Sequence, residues 1–335
     1  VKISAVIPCY NRAALIERAL ESARAQTVPT DEIVVVDDGS KDGSPAVVER
    51  YAEAHPAANI RLVRLPKNGG VSAARNAGIA AATGPWIAFL DSDDLWLPDH
   101  NRVLLETAAR HPSAQFVFGD CRYVQEEGAV VEVAPVAPTS FQRPGILQAL
   151  TGGTEAETGL TGREFYRLML RFSVIPTSGS MARKQALETI GGFRVGQRFG
   201  EDRLCWVRLL AYFPAAYALA AVSEYVYHTT NSTRPEKRLE NTRGLFELTR
   251  EFLRKPQEYR LGEEETAMLG TLRREQLAEI RYFASRRGLR TMQHYRDVLA
   301  EESVAFATRD WMRGAAASVY ALLKPGAGVS SAGNS

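Results

Sequence analysis

Three carboxylates fall within four residues at Asp91-Ser92-Asp93-Asp94, and an acidic pair opens Asp37-Asp38-Gly39-Ser40. Carboxylates this close repel one another unless a cation lies among them. Hard oxygen ligands of this kind suit Mg2+ or Mn2+, which commonly take one or two carboxylates together with substrate phosphates. Two further segments, Pro8-Cys9-Tyr10-Asn11 and Lys67-Asn68-Gly69-Gly70, carry polar residues of other types. The Tyr10 ring can stack on a nucleobase, Asp38 can accept from a base N–H, and the glycines let backbone approach a ligand at a helix N-terminus. Taken singly, each segment has an ordinary explanation as a turn, a helix cap or a loop. Their joint occurrence, in this order and each behind a strand-like run, points to a nucleotide site with a cation.

Those runs are 3–8, 33–37, 60–65 and 86–90, with another at 115–119, all short and apolar as strands buried on both faces are. Helical patterns lie between them at 13–25, 45–54, 71–82 and 98–110, with Asn11 placed to cap the first and Pro98 suited to the opening turn of the last. Such alternation predicts an α/β fold with a doubly wound, mostly parallel sheet flanked by helices. Ligands of such sheets sit beyond the carboxyl ends of the strands, where the polar segments fall. Residues 122–133 read as a hairpin around 126–128, followed by a Pro/Thr/Gly-rich loop through Gly162. Helical signals return at 163–170, 184–190 and 201–212, and a strand-like run covers 215–228. From Glu236 the pattern is helical and charge-mixed, broken near Pro256 and Gly288, a C-terminal helical extension; the tail from Lys324 reads as disordered.

Composition narrows the classes. Of 335 residues 45% are hydrophobic and 24% charged, an ordinary globular balance. The net charge of +2 hides no basic half: residues 1–100 carry 10 Lys/Arg against 13 Asp/Glu, and residues 236–335 carry 17 against 14. Neither end has the field that a phosphate backbone demands, so nucleic acid is not the expected partner. Cys9, Cys121 and Cys205 are widely spaced with no CxxC pair, which suits reduced thiols in a cytoplasmic setting. No run of 18 apolar residues is present, and the opening VKISAVIPCYNR lacks the basic start and long apolar centre of a signal peptide. The expected location is cytoplasmic. Residues 311–323 are apolar but carry little positive charge, which favours core or oligomer packing and leaves open peripheral contact with the inner face of the membrane.

SAVIPCYNR, IVVVDDGSKDGS, KNGGVSAARNAGI and WIAFLDSDDLWLP together resemble the inverting family 2 glycosyltransferases with the GT-A fold, over about residues 2–228 and most strongly through Pro98. The resemblance implies a nucleoside-diphosphate sugar donor, Mg2+ or Mn2+, and a saccharide, lipid-linked or protein-linked acceptor. It divides the chain into a GT-A domain at 1–232, a helical region at 233–323 and a tail at 324–335. Within the domain, residues 1–120 would bind the nucleotide and residues 121–232 would form the acceptor side. Pro8, Tyr10, Asp38 and Asn68 match positions that hold the nucleoside, and Gly70 with Arg75 lies in the matching nucleotide-side segment. Asp91-Ser92-Asp93 matches the DXD element, with Asp91 toward the ribose and Asp93 on the metal, while Asp94 supports the loop. Gly200-Glu201-Asp202 matches the acceptor-side motif, with Asp202 as general base. From the residues alone this triplet is more often an acidic helix N-terminus favoured by the helix dipole. His228 is either a loop residue or a further metal ligand.

The Tyr10 and Asp38 pattern suits uridine, although guanine and thymine donors occur in similar proteins. Two rival readings stay open. A nucleotidyl- or phosphoryl-transfer enzyme would release pyrophosphate or a sugar phosphate, and the absence of GxxxxGK[ST] counts against it. A non-catalytic protein would bind the sugar nucleotide without turnover. Sugar, acceptor and oligomeric state have no readable code here.

Overall fold

The computed structural model describes residues 1–127, 130–133, 141, 145–154, 156–197, 199–227 and 238–323. Seven consecutive buried residues, ISAVIPC, form β1 (Ile3–Cys9), and EIVVVD forms the equally buried β2 (Glu32–Asp37). β3 (Ile60–Arg64), β4 (Trp86–Phe89) and the short β5 (Leu95–Trp96) follow. Then come β6 (Phe116–Glu127), β7 (Val130–Val133), β8 (Thr158–Leu160), β9 (Ser180–Arg183) and β10 (Ala215–Tyr227). They make a 10-stranded sheet in the order β3-β2-β1-β4-β9-β6-β10-β5, with β7 on β6 and β8 on β10. Parallel ladders hold most of the paired residues: β2 with β3, β1 with β2 and β4, and β6 with β10. β9 runs antiparallel to both β4 and β6, so it joins the two parallel groups with their carboxyl ends at the same edge.

The accompanying helices are α1 (Ile16–Arg24), α2 (Ser44–Ala54), α3 (Val71–Ala81), α4 (His100–Arg110), α5 (Ile146–Thr151), α6 (Arg163–Arg171), α7 (Lys184–Thr189) and α8 (Glu201–Tyr212). Strand alternation sends Ile3, Ala5 and Ile7 into one core with Leu20, Val48 and Leu104, while Val34 and Val36 meet Ala74 of α3 on the other. Burying one such aliphatic side chain contributes about 1.5–3 kcal/mol. Gly78 lets α3 lie close on the sheet, because a Cβ there would stand 2.4 Å from Val6 Cγ1. Both expected caps are corrected. Helix α1 starts at Ile16, since Asn11 turns with φ 51 and its side-chain oxygen accepts from Lys41 N. Pro98 lies just ahead of Asp99, the N-cap of α4. The expected strand at 115–119 and first hairpin arm are one continuous strand, β6.

The chain divides into two compact units. One holds Val1–Asn231 with Gln257–Arg260, and the other Ser232–Pro256 with Leu261–Ser335. The second is helical: α9 (Arg238–Arg254), α10 (Glu263–Arg286), α11 (Leu289–Ala300) and α12 (Thr308–Leu323). Its core gathers Leu239, Phe246, Leu277, Ile280, Ala284, Tyr295 and Leu299. Breaks fall at Pro256 and Gly288 as expected, and a further one separates α11 from α12. Among the described residues no helix is long and apolar enough to cross a membrane. The tail from Lys324 lies outside the described residues.

At the opposite edge from the polar loops, Glu32 ties four segments together. Its Oε1 accepts from Ser4 Oγ at 2.5 Å, Thr83 Oγ1 at 2.7 Å and Gly84 N at 3.2 Å, and its Oε2 from Arg61 at 2.7 Å. Burial alone would raise this carboxyl, but its donors outweigh burial and hold it at about 2, against an ordinary 4.5. A depressed carboxyl contributes stability that is full above its unfolded pKa and disappears as pH falls through the folded one. Glu32 therefore contributes about 3 kcal/mol at neutral pH, lost between about pH 4.5 and 2. Acid titration of unfolding should show a shallower decline in this window for Glu32→Gln than for the parent chain; identical slopes would refute the assignment.

Candidate active site at the carboxyl edge of the sheet

The loops that follow β1, β2 and β3 are laced together. Asp38 N donates to Cys9 O at 2.8 Å and Leu65 N to Asp37 O at 2.8 Å, so strand pairing continues into the loops. Asn11 N donates to Ser40 Oγ at 2.9 Å, and Arg12 N to Ser44 Oγ at 2.8 Å. Asp38, only 3% exposed, accepts from Gly69 N at 2.7 Å and Gly70 N at 2.8 Å. The carboxylate thus fixes the loop carrying Asn68, and two of its four lone-pair directions remain for a ligand. Gly39 has φ +71 and a Cβ there would meet Asn68 N at 2.9 Å, while Gly70, with φ 86, is the N-cap residue just before α3. Both positions require glycine. Pro8 is buried in β1; Tyr10, 41% exposed, and the exposed Asn68 border the same edge.

Beside this crib lies the acidic cluster. Arg75, 3% exposed, binds Asp91 at 2.7 Å and Glu201 at 3.0 Å and stands 5.1 Å from the centre of the Phe193 ring. Burial works against its charge, but Asp91 and Glu201 outweigh burial and hold its pKa above the ordinary value. Burial raises the Asp91 carboxyl, with Asp93 and Asp202 adding to the rise and Arg75 opposing it. Glu201 is raised likewise, by burial and then by Asp202. Ser92 is buried between the two aspartates. Asp93 meets a second cation, the Arg12 guanidinium, at 3.2 Å. Carboxylate oxygens are the ligand type that a divalent metal takes, and in this structure Asp93 Oδ2 carries the Arg12 guanidinium. Among the described residues no group of three or more acidic, His or Cys side chains forms a complete metal cage. Mg2+ or Mn2+ takes its remaining ligands from substrate phosphates and water. His228 lies outside the described residues.

Three elements converge on Asp94 and Asp202. Asp94 accepts from Ser178 Oγ at 2.6 Å and from Val226 N at 3.3 Å, and Ser178 Oγ in turn accepts from Asp91 N at 3.1 Å. Burial, then Asp91 and Asp93, push the Asp94 carboxyl well up. Thr177 Oγ1 donates weakly to Asp202 Oδ2 at 3.5 Å. Asp202 lies in the first turn of α8, four residues before Trp206, so the two share a helix face. Trp206 packs on Phe89, Phe116 and Phe193, with ring centres 5.6, 4.9 and 5.4 Å away, which orients that turn toward the sheet edge. The adjacent Arg203 donates to the carbonyls of Met169 (2.8 Å) and Leu170, pinning α8 to the last turn of α6. Burial brings this guanidinium down to about 10, opposed by Asp202.

Pro8, Tyr10, Asp38, Asn68 and Gly70 therefore share one edge with Asp91 and Asp93, and Asp202 lies close enough to add to the rise of the Asp91 carboxyl. Arg12, Thr177 and Ser178 carry no role in the motifs, and Glu201 enters there only as part of Gly200-Glu201-Asp202, without its Arg75 partnership. Arg12 directly follows the Tyr10-Asn11 turn, which was its signal; Pro176-Thr177-Ser178-Gly179 carried only turn chemistry.

The model of the family "Glycosyl transferase family 2" matches residues 4–191. The succinoglycan biosynthesis protein ExoO of Rhizobium meliloti (strain 1021) is 50% identical over 106 residues, 32% of this chain and 29% of that protein. The putative glycosyltransferase EpsH of Bacillus subtilis (strain 168) is 43% identical over 106 residues, 32% of this chain and 30% of that one. The chain thus aligns with less than a third of either relative. Among solved structures, S. aureus TarS 1-349 in complex with UDP-GlcNAc superposes with TM-score 0.62 at 19% identity, covering 92% of this chain and 83% of that one. Mannosyltransferase PcManGT from Pyrobaculum calidifontis, in complex with GDP-Man and Mn2+, gives 0.57 at 20%, covering 97% and 81%. At these identities the likeness shows the fold, which is GT-A.

Proposed function

The chain belongs to glycosyl transferase family 2, and on that premise we propose that it transfers one sugar, with inversion, from a nucleoside-diphosphate sugar to an acceptor hydroxyl. The observation that carries the reading is the meeting, on one sheet edge, of the Asp38-held crib, the Asp91–Arg75–Glu201 bridge and Asp202. Uridine is the favoured base: Tyr10 supplies a stacking face, and Asp38 keeps acceptor directions free after holding Gly69 and Gly70. Pro8, Asn68 and Gly70 complete the nucleoside wall. Asp91 and Ser92 line the ribose side and Asp93 the diphosphate side.

Asp202 takes the proton of the acceptor hydroxyl as that oxygen attacks the anomeric carbon from the face opposite the nucleotide. Thr177 and the helix turn packed by Trp206 keep its carboxylate aimed. A bound Mg2+ or Mn2+, held by Asp93, would neutralise charge on the departing diphosphate. The relative named for succinoglycan biosynthesis favours a saccharide among the saccharide, lipid-linked and protein-linked acceptors. Donor binding is assigned to residues 1–120, the acceptor side to residues 121–232, and the helical region to residues 233–323.

A panel of nucleoside diphosphates and sugar nucleotides, with and without Mn2+, tests this through thermal stability. A ligand at 100 times its Kd raises stability by about 2.7 kcal/mol. We expect a selective response to one nucleobase, larger with Mn2+, and loss of the Mn2+-dependent component in Asp93→Ala. A chain indifferent to every nucleotide would refute the donor site. Pyrophosphate or a sugar phosphate as product, in place of nucleoside diphosphate, would refute sugar transfer.

A further inference from the structure

Two guanidiniums serve the acidic cluster, and they are held very differently. Arg75 is 3% exposed and pairs with two carboxylates while lying over the Phe193 ring, so it is a fixed member of the fold. Arg12 is 27% exposed, and its NH2 meets a single carboxylate oxygen, Asp93 Oδ2, at 3.2 Å. Its NH1 has only the backbone oxygen of Asn11, at 3.4 Å. The backbone beneath it is firmly placed, with Arg12 N on Ser44 Oγ and Asn11 turned back upon Lys41. A long, lightly held side chain on a rigid base can change partners without disturbing the fold.

We propose that Arg12 is a built-in counter-ion that a divalent cation must displace from Asp93, and that the donor's diphosphate receives the displaced guanidinium, so that cation and nucleotide bind cooperatively. The proposal rests on the reading of Asp93 given above and adds a residue to it. A guanidinium and a doubly charged ion on one carboxylate repel each other, so the ion binds Asp93 more tightly once the guanidinium has moved away. Without nucleotide, a cation that takes Asp93 leaves Arg12 without its carboxylate partner. With nucleotide, the diphosphate supplies oxygens for the cation and a second anionic group that the planar guanidinium fork matches. The cost of breaking the pair is thereby removed only when both ligands are present. Coupling of this kind is reciprocal: whatever factor the diphosphate adds to cation affinity, the cation adds to diphosphate affinity.

The test is Mn2+ binding to the full chain, read as loss of the free-ion electron paramagnetic resonance signal. It is run alone and with saturating uridine diphosphate, and with guanosine diphosphate as a second arm. A partly exposed pair is worth little, so Arg12→Gln should bind Mn2+ alone about two- to fivefold more tightly than the parent. The enhancement given by the diphosphate should shrink by a similar factor or more. Arg12→Lys keeps the charge but lacks the fork, and should fall between them. It also supplies the comparison should the glutamine variant fold poorly by circular dichroism. Unchanged or weaker Mn2+ binding in Arg12→Gln, or an undiminished enhancement, overturns the proposal while leaving the donor site intact. A parent chain that binds nucleotide but never Mn2+ overturns the metal role of Asp93 together with it. A chain that binds neither overturns the transferase reading itself.

Discussion

Asp202→Asn should leave donor binding within experimental scatter of the parent and lower transfer by roughly a hundred- to ten-thousandfold, the range that loss of a general base commonly produces. The amide has the shape of the carboxylate, so the turn of α8 fixed by Trp206 and Arg203 stays in place. Thr177 can still reach an oxygen at that position. What is lost is the group that accepts a proton, and that loss belongs to the transition state. kcat and kcat/KM should therefore fall together while the directly measured donor Kd holds. Turnover near the parent value would remove Asp202 from the reaction.

Arg75→Met should destabilise the fold by about 3–5 kcal/mol, the usual result of removing one partner from a buried ion pair. Methionine fills much of the space and retains contact with Phe193, but Asp91 and Glu201 lose their shared cation. Burial already raises both carboxyls, and without Arg75 its opposition to that rise is gone. An acid whose folded pKa lies above its unfolded value is most favourable to folding when protonated, and loses that advantage as pH rises. The deficit of Arg75→Met should therefore be largest at neutral pH and shrink on acidification as these carboxyls take up protons. Urea unfolding at several pH values measures it; a deficit independent of pH would show that lost packing, not lost charge compensation, is responsible.

The legible features of this site were those written in local sequence. β1, β2 and β4 are runs of buried apolar residues ended abruptly by polar ones, and parallel pairing then brings their ends together. The partnerships that give those ends their chemistry are nonlocal. Asp38 reads as a turn residue or a base acceptor, and nothing near it announces Gly69 and Gly70 as its donors. Arg12 and Asp93 meet only because β1 and β4 are neighbours. β9 escaped the periodicity reading because Pro176-Thr177-Ser178-Gly179-Ser180 has the composition of a surface turn, yet residues 178–182 are buried between β4 and β6. Asn11 misled in the opposite sense. Its residue type suits a helix cap, but the loop after β2 captured its side chain first.

The antiparallel insertion of β9 also sets the order in which the molecule can be completed. During synthesis the outer edge of β4, with its sequence WIAF, has no hydrogen-bonding neighbour until the ribosome has run on from Phe89 to Ser180. For that interval the nascent chain presents a hydrophobic strand with open amides and carbonyls, the kind of edge that invites pairing with other chains. The seam that unites the two halves of the finished sheet is thus an open edge while the protein is being made.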